Sequence, residues 1–311
     1  MNGKLVTIFG GSGFIGKTLV QHLAKAGYRV RVAVRHPNNA LFVKPLGDLG
    51  QIHIAQANTR NKASVVAAGR GSDIVINLVG VLYESGKQSF QKVHVDGAGL
   101  IAEVSTQMGV DKLVHLSSIG ADDEAASKYS RSKAAGEALV KENFPGATII
   151  RPSIIFGPDD NFFNKFAAFA KMFRMLPVIC GDTKFQPVYV GDVATAIENI
   201  LSSDKAAGKT YELGGPKVYS FRELLEMVNK VTEQDVLLIP VPIQIAYFKA
   251  FFLGMLPNPM VTMDQIRSME VDNVASGAGL EDLGVNPTPV EAIVPNYLVH
   301  FKPSGQFKAA H

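Results

Sequence analysis

Hydrophobic positions in the first half of the chain switch repeatedly between short apolar runs and helical spacing. Leu5-Val6-Thr7-Ile8-Phe9 is a continuous β-branched and apolar run, the pattern of a central parallel strand covered on both faces. Gly10 to Gly16 interrupts it. Ile15, Leu19, Val20 and Leu23 then share one helical face, and Gly27 is placed to end that helix. The second strand, Tyr28 to Val34, alternates Arg29, Arg31 and Ala33 with Val30, Val32 and Val34. Gln51 to Ala57 predicts a third strand, Lys62 to Ala68 a helix, and Asp73 to Gly80 a fourth strand. Val93 to Met108 reads as a long helix, Lys112 to Ser118 as the fifth strand, Ser127 through Val140 as a helix, and Ala147 to Arg151 as the sixth strand. Strands alternating with helices in this way predict an α/β fold with a doubly wound parallel sheet.

After about residue 155 the pattern loosens. Asn161 to Met175 carries Phe162, Phe163, Phe166, Phe169 and Phe173, a stripe that core packing explains more often than a ligand box. Gln186 to Ala194 reads as a short strand leading into a helix, and Tyr211 to Gly215 as another short strand. Ser220 with Glu223 three residues on forms a capping box for a helix through Val231. The expected division is a doubly wound domain over residues 1–155, with returns near 187–195 and 211–216, and a smaller C-terminal α/β lobe over 156–311. Val236 to Leu256 is long and apolar but broken by Pro240, Pro242, Gln244 and Lys249. With Pro257 and Pro259 closing it, about fourteen uninterrupted residues remain where a bilayer needs roughly twenty, so a buried or interfacial helix is expected rather than a span. The tail from Lys302 is expected to fray.

Composition narrows the classes. Of 311 residues, 47% are hydrophobic and 19% charged, which excludes a disordered chain, and the formal net charge of +3 with no basic block gives no footprint for nucleic acid. One cysteine, Cys180, excludes an internal disulfide and any cysteine-based zinc site, and no metal is expected. The first strand begins by about residue 4, leaving no room for a signal or transit segment, so a reducing, cytoplasmic-side location is expected.

Candidate chemistry gathers at the strand ends. Gly10, Gly13 and Gly16, spaced by three between strand and helix, suit a tight turn, a close backbone approach to a pyrophosphate and close helix–strand packing. The helix then offers free N–H groups and its positive dipole end to phosphates. Arg35 ends the second strand where an acidic residue would meet a free ribose 2′-hydroxyl. A guanidinium there suits a 2′-phosphate, favouring NADP(H) over NAD(H), although a solvated charge at a strand end is the bland alternative. Asn58 closes the third strand, either contacting an adenine edge or making a turn. Leu78, Val79 and Gly80 close the fourth, where glycine lets backbone approach a cofactor. Ser117 and Ser118 lie where the fifth strand meets the crevice. Tyr129 and Lys133, four apart, share a helical face. An ammonium near a phenol favours phenolate, and with a serine hydroxyl makes a proton donor or acceptor for a carbonyl/alcohol pair, although Tyr-x-x-x-Lys on an arbitrary helix is more often a surface pair.

On these residues the chain resembles a short-chain dehydrogenase/reductase of the extended or atypical kind over its whole length. The matching features are Gly10-x-x-Gly13-x-x-Gly16, Tyr129-x-x-x-Lys133, Arg151-Pro152 through Gly157-Pro158, and Pro187 through Ala194. Within that superfamily it is most similar to the 39 kDa-type nucleotide-binding accessory subunit of respiratory complex I and its bacterial relatives. Asn77 to Gly80, Lys128 to Glu137, Arg151 to Asn164 and the late run Val261-Thr262-Met263-Asp264-Gln265-Ile266 carry this likeness.

The resemblance implies a Rossmann domain holding a nicotinamide dinucleotide. It places Tyr129, Lys133, Ser117 and Ser118 in catalytic positions. Gly10, Gly13, Phe14, Ile15, Gly16, Arg35, Asn58, Leu78, Val79, Gly80 and Pro152, again with Tyr129 and Lys133, fall at the cofactor. It also implies a membrane-bound NADH:quinone oxidoreductase as partner, a peripheral place on the inner membrane, and a nucleotide that is mainly structural. The alternative is a working NAD(P)-dependent reductase, epimerase or dehydratase acting on a sugar nucleotide, a steroid-like alcohol or a quinone precursor. Two departures bear on that choice: His94 stands where extended members carry asparagine, and Asn58 where they carry an acidic residue.

Overall fold

A computed structural model describes residues 3–253, 261–277 and 279–303. Strands and helices alternate through β1 (Leu5–Phe9), α1 (Phe14–Lys25), β2 (Arg29–Val34), β3 (Ile52–Gln56), α2 (Lys62–Gly69), β4 (Ile74–Asn77), α3 (Gly97–Gln107), β5 (Lys112–Leu116), α4 (Lys128–Asn143) and β6 (Thr148–Pro152). These six strands and a later one, Thr210–Leu213, form one seven-stranded sheet, all of whose pairings are parallel. Its order is Thr210–Leu213, β6, β5, β4, β1, β2, β3, so the expected doubly wound α/β fold is the one found. From β1 the chain steps outward to β2 and β3, then returns to place β4 on the other side of β1. The carboxyl ends of β1 and β4 therefore flank the crevice at which open α/β sheets bind ligands.

Both faces of the sheet are covered, which is why the central strands are apolar on both sides. On one face α1 packs with α6 (Val190–Ser202), and Leu19, Val20, Leu23, Val193, Ile197 and Ile200 bury against Ile8, Val32 and Ile76. On the other, α2, α3 and α4 bring Val65, Ala68, Ala98, Ile101 and Val140 against Phe9, Val75, Leu113 and Ile149. Gly27, at φ +84°, turns the chain out of α1 in the left-handed conformation glycine adopts freely.

A second apolar cluster gathers Phe156, Phe163, Leu176, Phe185, Phe221, Leu224, Leu225 and Val294. It is built by α5 (Phe163–Phe173), α7 (Phe221–Thr232) and short strand pairs, so Phe162, Phe163, Phe166 and Phe169 of the stripe serve packing while Phe173 is exposed. Ser220 and Glu223 form the expected capping box of α7. In the apolar run after Val236 the helix begins only past the prolines, and the stretch leading into them forms a strand. Leu237–Pro240 is a strand paired in parallel with Met175–Val178, and α8 (Ile243–Leu253) starts only afterwards. Pro240 and Pro242 explain the break, since proline lacks the N–H a helix interior needs. The end of that run, including Pro257 and Pro259, lies outside the described residues, as does the tail beyond residue 303. Then α9 (Met263–Met269) packs its Ile266 against Ala246 and Ala250 of α8. Among the described residues, no helix is long and apolar enough to cross a membrane.

Candidate functional site

The glycine turn after β1 is shaped by close backbone approaches. Gly10 sits at φ +83°, and a Cβ there would lie 3.2 Å from the Leu78 carbonyl carbon and 3.3 Å from Val79 Cγ2. Its carbonyl accepts the Gly13 N–H at 3.0 Å, closing the turn, and its own N–H donates to the Ala33 carbonyl at 3.1 Å. Gly13 is the N-cap of α1 and offers no side chain to the first turn. Phe14 and Ile15 open that turn half-buried. A Cβ on Gly16 would lie 2.5 Å from the carbonyl carbon of Gly11, a contact no real side chain makes. The three glycines thus have distinct duties, and α1 aims its free N–H groups into the crevice mouth.

The ends of β2 and β3 supply cations. Arg35 is exposed, and its Nη1 donates to Gln88 Oε1 at 2.7 Å across the loop that follows β4. Arg60 donates through Nη1 to the Lys87 carbonyl at 2.7 Å, so two guanidiniums hold the same loop over this end of the crevice. Asn58 makes the turn: its Oδ1 accepts the Arg60 N–H at 3.1 Å, and its own N–H donates to Ser64 Oγ at 2.9 Å.

Leu78 and Val79 stand at the switch point, with the Leu78 N–H on the Phe9 carbonyl at 2.9 Å. Gly80 is exposed, and a Cβ there would meet nothing closer than Lys133 Nζ at 3.6 Å and His94 Nε2 at 3.7 Å. Protein packing therefore does not demand glycine at 80; the space it leaves faces the crevice. Pro152 ends β6, buried, and its carbonyl accepts the Ile119 N–H at 3.1 Å.

At the far end of the crevice, α4 carries Tyr129 and Lys133. Lys133 is 5% exposed and its Nζ donates to the Leu116 carbonyl at 3.0 Å. Burial lowers its pKa to about 8, against the opposing pull of the Glu137 carboxylate one turn on. The phenol of Tyr129 is pushed up by burial, with Ser118 pulling the other way. The lysine-lowered phenol suggested by the four-residue spacing is thus not the balance reached here: Nζ lies 6.0 Å from the ring centroid and is committed to the Leu116 carbonyl. Ser118 Oγ is buried against the Tyr129 phenol, and Ser117 Oγ is buried without a hydrogen-bond partner among the described residues. A hydroxyl left so costs about 1–3 kcal/mol, which a bound polar group would relieve.

Several residues that spacing did not single out set this geometry. The stretch expected as the start of one long helix is a π-helical turn, Gln91–Asp96, from which His94 projects inward, 2% exposed. His94 Nε2 accepts the Val81 N–H at 3.0 Å, so in the neutral ring Nδ1–H donates to Ser132 Oγ at 2.9 Å. Ser132 in turn donates to the Tyr129 carbonyl at 2.7 Å. Burial and the nearby Lys133 ammonium hold the imidazole at a pKa of about 3. Its ring stacks on Phe90 and meets Tyr129 edge-on at 5.4 Å.

Gly136 lets α4 reach that turn, since a Cβ there would lie 2.1 Å from the His94 carbonyl oxygen. Glu137 receives a two-pronged bond from Arg151 of β6, at 2.9 and 2.8 Å. Below Ser117, His115 Nδ1 accepts from Asn77 Nδ2 at 3.1 Å and is held neutral, its pKa lowered to about 3 by burial and Lys133. At the start of α4, Asp264 of α9 accepts from the Lys128 N–H (2.7 Å), the Tyr129 N–H (2.9 Å) and Ser127 Oγ (3.0 Å). A glycine inside a helix was a sequence signal for Gly136; nothing local signals an acceptor 135 residues away.

A parallel sheet of this order, a glycine turn at the switch point and a Tyr-x-x-x-Lys helix beside it define a short-chain dehydrogenase/reductase of the extended kind. The chain belongs to the NAD dependent epimerase/dehydratase family, whose model matches residues 6–214. It is 35% identical over 297 residues to NADH dehydrogenase [ubiquinone] 1 alpha subcomplex subunit 9 of Mus musculus, covering 94% of this chain and 78% of that protein. It is 32% identical over 310 residues to the NADH-ubiquinone oxidoreductase 40 kDa subunit of Neurospora crassa, covering 99% and 82%. Among solved structures, dTDP-glucose 4,6-dehydratase DesIV from Streptomyces venezuelae, with NAD and TYD bound, shares the fold at TM-score 0.74 and 17% identity, over 98% of this chain and 99% of that one. The family binds a nicotinamide dinucleotide.

Proposed function

We propose that this protein is an NADP(H)-holding accessory subunit of a membrane-bound NADH:quinone oxidoreductase, with the nucleotide as a mainly structural ligand. The observation that carries the reading is likeness over nearly the whole chain, at a third identity, to relatives named as subunits of that complex. In this reading the Gly10–Gly16 turn and the first turn of α1, with Phe14 and Ile15, hold the pyrophosphate. Arg35 takes the 2′-phosphate, Asn58 borders the adenine, and Leu78 to Gly80 with Pro152 line the wall. Tyr129 and Lys133 hold the nicotinamide ribose. The bound group would supply a hydride donor or acceptor beside Tyr129. His94 argues for holding over turnover: it stands at the asparagine position of the extended enzymes with both ring nitrogens already engaged, so it brings no free group to a proton relay. The outer face of α8, with Phe248, Phe251 and Phe252 exposed, is the surface we assign to the membrane-side partner.

The test is to purify the protein from native membranes, identify what co-migrates, and assay the released nucleotide. Co-migration with oxidoreductase subunits and recovery of NADP(H) are expected; a free protein without nucleotide overturns the reading. A second reading, a working reductase or epimerase, is favoured by the Ser118 hydroxyl against the Tyr129 phenol and by the buried Ser117 hydroxyl. A redox change of bound cofactor on adding a sugar nucleotide, a steroid-like alcohol or a quinone precursor, abolished by Tyr129→Phe, would establish it.

A further inference from the structure

The late run from Val261 to Ile266 is far along the chain from the glycine turn and the strand ends, yet its one carboxylate ends at the helix that carries Tyr129. The first N–H groups of a helix lack partners within it. In α4 those of Lys128 and Tyr129 donate to Asp264 at 2.7 and 2.9 Å, while that of Ser130 donates to the N-cap Ser127 Oγ at 3.4 Å. Ser127 Oγ also donates to Asp264, and Ser268, one turn further along α9, donates to Ser127 Oγ at 2.9 Å. A carboxylate here meets both the free donors and the positive end of the helix dipole. Beside the local Ser127 cap, the acceptor for the first two N–H groups of α4 is borrowed from another part of the chain.

Behind Asp264, α9 is fixed to α8 through Ile266 packed on Ala246 and Ala250, and through the Tyr247 hydroxyl donating to Glu270. The opposite face of α8 bears the exposed Ile245, Phe248, Phe251 and Phe252. A continuous set of contacts therefore runs from that outer face to the backbone N–H of Tyr129.

We propose that Asp264 is a positioning residue for the dinucleotide site, setting the first turn of α4 so that Tyr129 and Lys133 seat against the nicotinamide half, and that it couples this seating to the α8–α9 pair. The proposal rests on the nucleotide reading above. The carboxylate is bonded to the start of α4 and, among the described residues, has no bond to the glycine turn, so its influence falls on the nicotinamide half of the ligand. Asp264→Asn keeps the shape and one accepting oxygen. The replaced oxygen becomes an NH₂ facing donors, so one backbone N–H loses its partner.

The experiment compares NADPH with adenosine 2′,5′-bisphosphate, which lacks the nicotinamide half, by calorimetric titration of nucleotide-free wild-type and Asp264→Asn protein. NADPH affinity should fall at least fivefold, bisphosphate affinity should stay within twofold, and amide hydrogen exchange over residues 128–133 should quicken. Equal losses for both ligands would make Asp264 a general stabiliser and overturn the proposal, as would unchanged NADPH affinity. Wild-type protein that binds neither ligand overturns the nucleotide reading itself, a distinct failure. Should Asp264→Asn not fold, Ser127→Ala removes one of the three donors to Asp264, together with the acceptor of the Ser130 N–H and the Ser268 hydroxyl, and keeps the Lys128 and Tyr129 pair. NADPH affinity should fall at least threefold while bisphosphate affinity stays within 1.5-fold, and no such split overturns the proposal.

Discussion

The two ends of the crevice are built by different means. The phosphate end is made of backbone: Gly10, Gly13 and Gly16 shape a turn whose contacts reach only a few residues along the chain, apart from the Gly10 N–H on the Ala33 carbonyl and the approach to Leu78 and Val79. The far end is made of side chains borrowed across long separations. Lys133 is tied to the Leu116 carbonyl, His94 to Val81 and Ser132, Glu137 to Arg151, and the helix start to Asp264. Backbone chemistry of the first kind fixes where a phosphate sits with no titrating group involved. The second kind can be retuned by one substitution far away, and it responds to pH.

Breaking the phosphate end should give the largest effect. Gly16→Ala must displace either α1 or the Gly11 backbone, 2.5 Å from the new Cβ. We expect NADPH affinity to fall about a hundredfold, equivalent to about 2.8 kcal/mol, with the circular dichroism of the fold retained. Affinity within threefold of wild type would show that the turn tolerates the shift and that glycine there serves packing alone.

That end was also the legible one. The spacing of Gly10, Gly13 and Gly16 between an apolar run and a helical pattern carries its own geometry, because Gly13 and Gly16 answer to atoms of the same turn. The central strands of the sheet, β1, β4 and β5, were readable for the same reason, buried on both faces and hence largely apolar. The far end was legible only as residue types. Tyr129 and Lys133 could be named from their spacing, but the phenol's balance depends on burial and on where the ammonium is bonded, and spacing encodes neither. The π-helical turn at His94 arises where α4 presses close at Gly136, a tertiary contact between segments some forty residues apart. The strand Leu237–Pro240 was hidden because its apolar run continues into a helix, with only prolines marking the change.

A pH titration separates the two ends next. His94 and His115 are buried neutral with pKa values near 3, against an ordinary histidine value near 6.5 in the unfolded chain. Between those values the unfolded state binds more protons than the folded one, so stability is full above about pH 6.5 and falls as pH drops toward 3. At pH 5 each histidine should cost about 2 kcal/mol relative to pH 7. Denaturant unfolding at the two pH values measures it, and His94→Asn should remove roughly half of the dependence. A flat profile between pH 7 and 5 would mean that the imidazoles are not held neutral.

The cation at the end of β2 allows a finer comparison within the phosphate end. Arg35 is exposed and held by a single side-chain bond to Gln88, so it can turn to a 2′-phosphate at little cost. NADPH should bind at least tenfold tighter than NADH, a difference of about 1.4 kcal/mol, and Arg35→Asp should narrow or reverse that preference. Paired titrations of both nucleotides into each protein decide it; equal affinities in the wild type would leave Arg35 a solvated charge.

The smallest effect on stability and the sharpest on location belong to the outer face of α8. Ala246 and Ala250 face α9, whereas Phe248, Phe251 and Phe252 are 67%, 54% and 55% exposed, with Lys249 beside them in solvent. A surface helix of a free protein would carry a wide polar face there. Four large apolar side chains on one exposed helix face, counting Ile245, are what a partner surface would cover. Because neither Phe251 nor Phe252 is part of the packed side, Phe251→Asp with Phe252→Asp should change unfolding free energy by no more than about 0.5 kcal/mol. NADPH affinity should stay within twofold of wild type. The wild-type protein should sediment with membranes and be released by mild detergent in a larger complex, while the double variant should remain in the supernatant, folded and nucleotide-bound. A variant that still sediments would place the contact elsewhere on the lobe, and a wild type found free in native lysate would remove docking altogether and leave the reductase reading first.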